Sequence, residues 1–246
     1  MKPIRIWDLP TRLFHWSFVV LAVAAYVTAK TGGNAMIYHF WCGYAVLALL
    51  IFRVVWGITG PRYARFSAFV TGPRTVWRSL RGAGDAGTGH EGRTSHDSAS
   101  AAEPAVRFAG HTPLGGLSVI AMLVFFGIQV GLGLFSNDDI FNDGPLVKFI
   151  DKDTSDMLTG WHLRNQWVLV ALVALHVLAI VYYRVVRKTD LIKPMILGDK
   201  HLSVPARPAR DDWRVRIGAL VLIVLASALV YRLVNLAPAV AALPAY

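Results

Sequence analysis

A single cysteine, Cys42, occurs among 246 residues. One thiol makes no internal disulfide. Without a Cys-x-x-Cys-His there is also no covalent haem attachment site, and no four-thiolate cradle for an iron–sulfur cluster. Any redox cofactor of this chain is therefore held non-covalently. Charge is scarce as well: 16% of residues are Asp, Glu, Lys or Arg and 55% are hydrophobic, which excludes the make-up of an ordinary soluble domain. Acidic residues are the scarcest, 15 against 25 Lys and Arg, giving a net charge of +10. No nucleic-acid recognition module accompanies that excess. Its expected counterpart is membrane lipid, through anionic headgroups.

Long apolar runs are present instead. Five stretches, about residues 13–29, 38–59, 113–135, 161–183 and 215–236, have the length that crosses roughly 30 Å of hydrocarbon. The expected fold is an all-α integral membrane protein, with four transmembrane helices forming a bundle and a fifth at the C-terminus. The first run has the basic start and small-residue end of a secretory leader. His15, Trp16 and the neighbouring Phe14, Phe18 and Tyr26 have no task in a leader, so it is read as a true span.

Lys and Arg placement sets direction, because positive loops are retained in the cytoplasm. Lys2, Arg5 and Arg12 precede or open span one. Arg62, Arg65, Arg74, Arg78, Arg81, Arg93 and Arg107 follow span two, and Arg184, Arg187, Lys188, Lys193, Lys200, Arg207, Arg210 and Arg214 follow span four. The loop between spans three and four is the mirror of this, with Asp138, Asp139, Asp143, Asp151, Asp153 and Asp156 against Lys148 and Lys152. The N-terminus is expected inside and the C-terminus outside. Residues 82–105, rich in Gly, Ala, Ser and Asp, read as a flexible cytoplasmic loop. His90 and His96 within it lack acidic or thiol partners and read as solvated rather than metal-binding.

Ionisable residues inside a span are costly, so each needs a partner or a task. His15, His39, His162 and His176 are such residues. His162 and His176 stand fourteen residues apart on span four, which is about 40° short of four full turns and roughly 21 Å along the axis. They share one face at two depths. Span one runs outward, so His15 near its start lies level with His176. Span two runs inward, so His39 at its start lies level with His162. Each pair supplies the two axial imidazoles of a six-coordinate haem iron. The bland alternative for one intramembrane histidine is an interhelical hydrogen bond or an interfacial position; four matched in face and depth fit it poorly. His111, before Pro113 at the inner start of span three, reads first as an interfacial residue, with rivalry to His15 as the inner ligand the alternative. His201 falls in the basic tail and reads as solvated.

Haem propionates are anionic, so arginines near the spans are candidate partners: Arg53 for the inner haem and Arg164 for the outer, with snorkelling toward headgroups as the alternative. Gly43, Gly127, Gly131 and Gly133 have no side chain to obstruct a flat macrocycle. The spacing of Gly127 and Gly131 equally fits close helix packing.

These residues resemble the bacterial cytochrome b561 and nickel-hydrogenase cytochrome b family, whose relatives include the gamma subunit of respiratory formate dehydrogenase. The carriers are Ile6-Trp7-Asp8-Leu9-Pro10-Thr11-Arg12-Leu13-Phe14-His15-Trp16, then Phe52-Arg53-Val54-Val55-Trp56-Gly57, then Gly60-Pro61-Arg62-Tyr63-Ala64-Arg65-Phe66. Gly110-His111-Thr112-Pro113-Leu114-Gly115-Gly116 and the span-four histidines complete them. The resemblance covers about residues 6–200, taken as the di-haem domain, with residues 201–246 a basic segment and fifth span. It implies a four-helix bundle with two haem b groups, His15 paired with His176 and His39 with His162. It also implies a multi-pass protein of the bacterial inner membrane, passing electrons between the quinone pool and a periplasmic cytochrome c or a hydrogenase. The fifth span resembles the extra helix of hydrogenase-type members. The His111 motif resembles the subgroup with soluble haem c partners and favours those. Two further readings follow from the residues: a stand-alone quinone oxidoreductase acting on a small diffusible species such as superoxide, and a haem-free transporter or assembly subunit whose histidines line a proton or metal path.

Overall fold

Asp8 starts the first helix. In extended backbone it accepts hydrogen bonds from Thr11 N at 2.9 Å and Thr11 Oγ1 at 2.8 Å, capping α1 (Leu9–Thr31), and Pro10 sits in the first turn, where a missing N–H costs nothing. The same device recurs in the computed structural model, which describes residues 3–69, 110, 112–139, 142–201 and 206–236. After α2 (Met36–Thr59), Thr112 caps α3 (Pro113–Gly133) and Asp151 caps α4 (Lys152–Val185). A short α5 (Ile192–Leu197) follows, and Asp212 caps α6 (Trp213–Val234). The loop expected over residues 82–105, with His90 and His96, lies outside the described residues, as does His111.

Five of these helices are long and apolar enough to cross a membrane. The one expected over residues 161–183 is the most extended, running 34 residues from Lys152, about 50 Å at the helical rise. Its polar first turns continue beyond the apolar window because Asp151 caps the backbone there, which hydropathy alone does not register. Large apolar side chains such as Val20, Leu175 and Leu220 are more than 60% exposed. In water that surface would be a liability; in lipid it is the expected exterior.

α1 packs on α2 and α3 on α4, while α2 also meets α3 and α6. Phe52, Trp56, Ala64 and Ala219 form one buried cluster, and Ala48, Ala226 and Val230 another. The fifth span is thus packed against α2 rather than appended.

The helices are tied together at the N-terminal end by two short strands, which the all-α expectation does not include. β1 (Pro3–Arg5) pairs antiparallel with β2 (Asp199–His201). His201 is exposed, as expected, but belongs to this ribbon. Gly198, at φ 91°, lets its carbonyl accept from Ile6 N at 2.9 Å and Trp7 N at 3.1 Å; a Cβ there would lie 2.8 Å from the Trp7 carbonyl. Ile6, Trp7, Tyr63 and Ala209 close over one another, and Tyr63 donates to the Arg207 carbonyl at 2.9 Å. Arg5 bridges Asp199 at 2.6 Å and Asp211 at 2.8 Å, while Asp211 accepts from Leu9 N and Arg216 Nε.

Candidate functional site: paired histidines in the bundle

The helix directions place His15 and His176 toward the N-terminal end and His39 and His162 toward the other. The structure brings His39 and His162 together, ring centres 6.1 Å apart and planes perpendicular. His39 Nδ1 lies 2.8 Å from the carbonyl of Ala25 on α1, and His162 Nδ1 lies 2.9 Å from the carbonyl of Gln129 on α3. A ring nitrogen opposite a carbonyl carries the proton, so in both residues Nε2 is the basic nitrogen, and in His162 it faces the Gln129 amide. At the other level stand His15 on α1 and His176 on α4. All four rings are partly buried.

The walls of this region are aromatic or bare. Phe14 packs on Phe18 and Phe52, and Phe18 meets Phe126 edge to face at 4.8 Å. A Cβ built on Gly43, Gly127 or Gly131 meets nothing within 4 Å. The Gly127–Gly131 spacing therefore does not mark a close helix crossing. Gly43, four residues after His39, lies on the same side of α2.

Neither candidate arginine stands free. Arg53 is buried, donates from Nη1 to the Ala64 carbonyl at 3.0 Å, and lies over the rings of Phe66 and Phe14. Arg164 is exposed and stacks 5.8 Å from the Trp161 ring centre.

Sequence reasoning missed two polar residues here. Asn165, buried on α4, donates from Nδ2 to the Phe125 carbonyl at 3.0 Å and to Gln129 Oε1 at 2.8 Å. Gln129 Nε2 in turn lies 3.2 Å from His162 Nε2. The available signal was an amide inside each of two apolar runs, which attention to ionisable groups passed over. In the acidic loop most aspartates are engaged locally: Asp139 and Asp156 by Lys152, Asp138 by Asn142, and Asp151 by Thr154.

The model for prokaryotic cytochrome b561 matches residues 6–198, most of the chain. The chain belongs to the prokaryotic cytochrome b561 family. No curated protein and no solved structure matches it. This cytochrome b561 is accordingly a multi-pass membrane protein that binds b-type haem and works in electron transfer.

Proposed function

We propose that this cytochrome b561 holds two haem b groups, one between His39 and His162 and one between His15 and His176. It carries electrons between the quinone pool and a periplasmic redox partner, a cytochrome c in first place and a hydrogenase in second. The Arg-rich N-terminal end faces the cytoplasm of a bacterial inner membrane and the C-terminus faces the periplasm.

The observation that carries this reading is the approach of His39 on α2 to His162 on α4, with His176 fourteen residues further along the same face of α4. His39 and His162 bring their ring centres to 6.1 Å, so these two residues would hold one haem iron between them. Their Nδ1 atoms are engaged by carbonyls, so the donor set suits a bis-imidazole haem. Bound haem supplies the one-electron chemistry. The chain supplies the rest. The two carbonyls fix the ring tautomers, and the aromatic side chains and bare glycines admit a flat ring system. Arg53 and Arg164 are the proposed cationic partners of the inner and outer propionates.

Spectroscopy of the purified protein tests this. Dithionite is expected to produce a b-type α band, and a quinol to reduce at least part of it. Absence of any α band would overturn the proposal and favour a haem-free transporter. Oxidation of the reduced protein by superoxide but not by cytochrome c would favour the stand-alone oxidoreductase.

A further inference from the structure

We infer that Asn165 is a positioning residue that sets the orientation and basicity of the outer haem ligand His162; this rests on the di-haem proposal. Asn165 lies three residues after His162 on α4, one turn along and on the same side. It is buried, and its single amide nitrogen bonds twice to α3, at 3.0 Å to the Phe125 carbonyl and 2.8 Å to Gln129 Oε1. Those two residues bracket one turn of α3. The turn ends at the carbonyl that receives His162 Nδ1 at 2.9 Å.

Gly133 completes the slot. A Cβ there would lie 3.0 Å from His162 Cε1, so the ring lies flush against bare backbone of α3. The ring orientation is thus fixed by the register of α3 against α4, and Asn165 is the buried polar side chain that holds that register at the ligand's level. An amide inside an apolar span is costly unless bonded, and here both bonds go to the segment that seats the histidine.

The chemical consequence follows from the Nδ1 bond. An imidazole that donates Nδ1–H to a well-placed carbonyl is a more basic ligand and favours ferric over ferrous iron. Loosening the α3 turn weakens that bond and raises the midpoint potential of the outer haem alone.

The test compares wild type with Asn165→Leu, Asn165→Gln and Leu169→Ala by potentiometric titration of the visible spectrum and low-temperature EPR of the ferric haems. Leu169 is also buried on α4 but is apolar, so its variant reports packing loss without loss of the amide. Expected is an upward shift of one midpoint and of one low-spin EPR signal in Asn165→Leu. The second haem should be unchanged, Asn165→Gln should lie closer to wild type, and Leu169→Ala should leave both midpoints in place. Two intact haems with unaltered potentials and EPR in Asn165→Leu would overturn the inference while leaving the di-haem reading standing. Wild type without a haem that depends on His162 would overturn the reading itself. Should Asn165→Leu lose all haem, Asn165→Gln decides: equal loss contradicts the inference, and a retained pair with a shifted outer signal supports it.

Discussion

His39 and His162 stand with ring planes perpendicular and centres 6.1 Å apart, and each turns Nδ1 toward a carbonyl of a different helix, Ala25 on α1 and Gln129 on α3. Four helices therefore contribute to one small site: two bring rings and two bring acceptors. Such a site is set by bundle assembly, since no local segment contains more than one of its parts.

At the other level the proposal gives His15 and His176 one iron. His15→Ala is expected to lose one haem while His111→Ala keeps both, read from haem content of detergent-purified protein. The reverse pattern would move the inner ligand to the start of α3.

Asp8 is completely buried and accepts from Thr11 N, Thr11 Oγ1 and Trp56 Nε1, the last at 3.2 Å. Burial pushes its carboxyl above the usual carboxylate range, and the bonds from Thr11 and Trp56 pull against that shift. Asp8→Ala removes the α1 cap and leaves the indole N–H unpaired. The expected loss is about 1–3 kcal/mol, measured as a lower melting temperature in detergent, with Asn in its place costing less.

Arg53 shows the same logic on α2. Arg53→Leu leaves the Ala64 carbonyl without its donor and removes a cation lying over the Phe66 and Phe14 rings. A destabilisation of about 1–3 kcal/mol is expected by thermal melting. Arg53→Lys should recover part of the ring contact. If Arg53 also meets a propionate, both variants shift the inner haem potential.

The strand ribbon should open in acid. Burial works against the charged form of Asp211, but the bonds from Arg216 and Leu9 N, with the charges of Arg216 and Arg5, hold its carboxyl below the ordinary value. A carboxyl lowered in the folded protein contributes stability that is complete above its unfolded pKa of about 3.9. That contribution is lost as pH falls through the lower folded value. Protection of the Ile6 and Trp7 amides against hydrogen exchange, relative to an unstructured chain at the same pH, should therefore be high at neutral pH and fall below about pH 4. Asp211→Asn should show reduced protection already at neutral pH, with little further loss in acid.

Much of this was legible in the sequence because membrane burial writes in a simple code. The five apolar runs locate the helices, and the histidines carry depth information once helix direction is known. The motif around Asp8 was legible as a motif, but its role as cap and acceptor for Trp56 depends on α2, which sequence spacing does not locate. The β1–β2 ribbon was illegible because it joins Pro3–Arg5 to Asp199–His201 in strands of three residues, too short for any alternation to show. Asn165 and Gln129 were missed because neutral amides leave no charge signal, and their meaning lies in bonds between α3 and α4.

Haem stoichiometry tests the central claim most directly. A pyridine haemochrome assay on wild type and on His15→Ala, His39→Ala, His162→Ala and His176→Ala should give two haems per chain in wild type and about one in each variant, because both axial ligands of a pair hold one iron. A wild-type ratio of one, or two haems retained in His39→Ala and His162→Ala, would contradict the paired-histidine account.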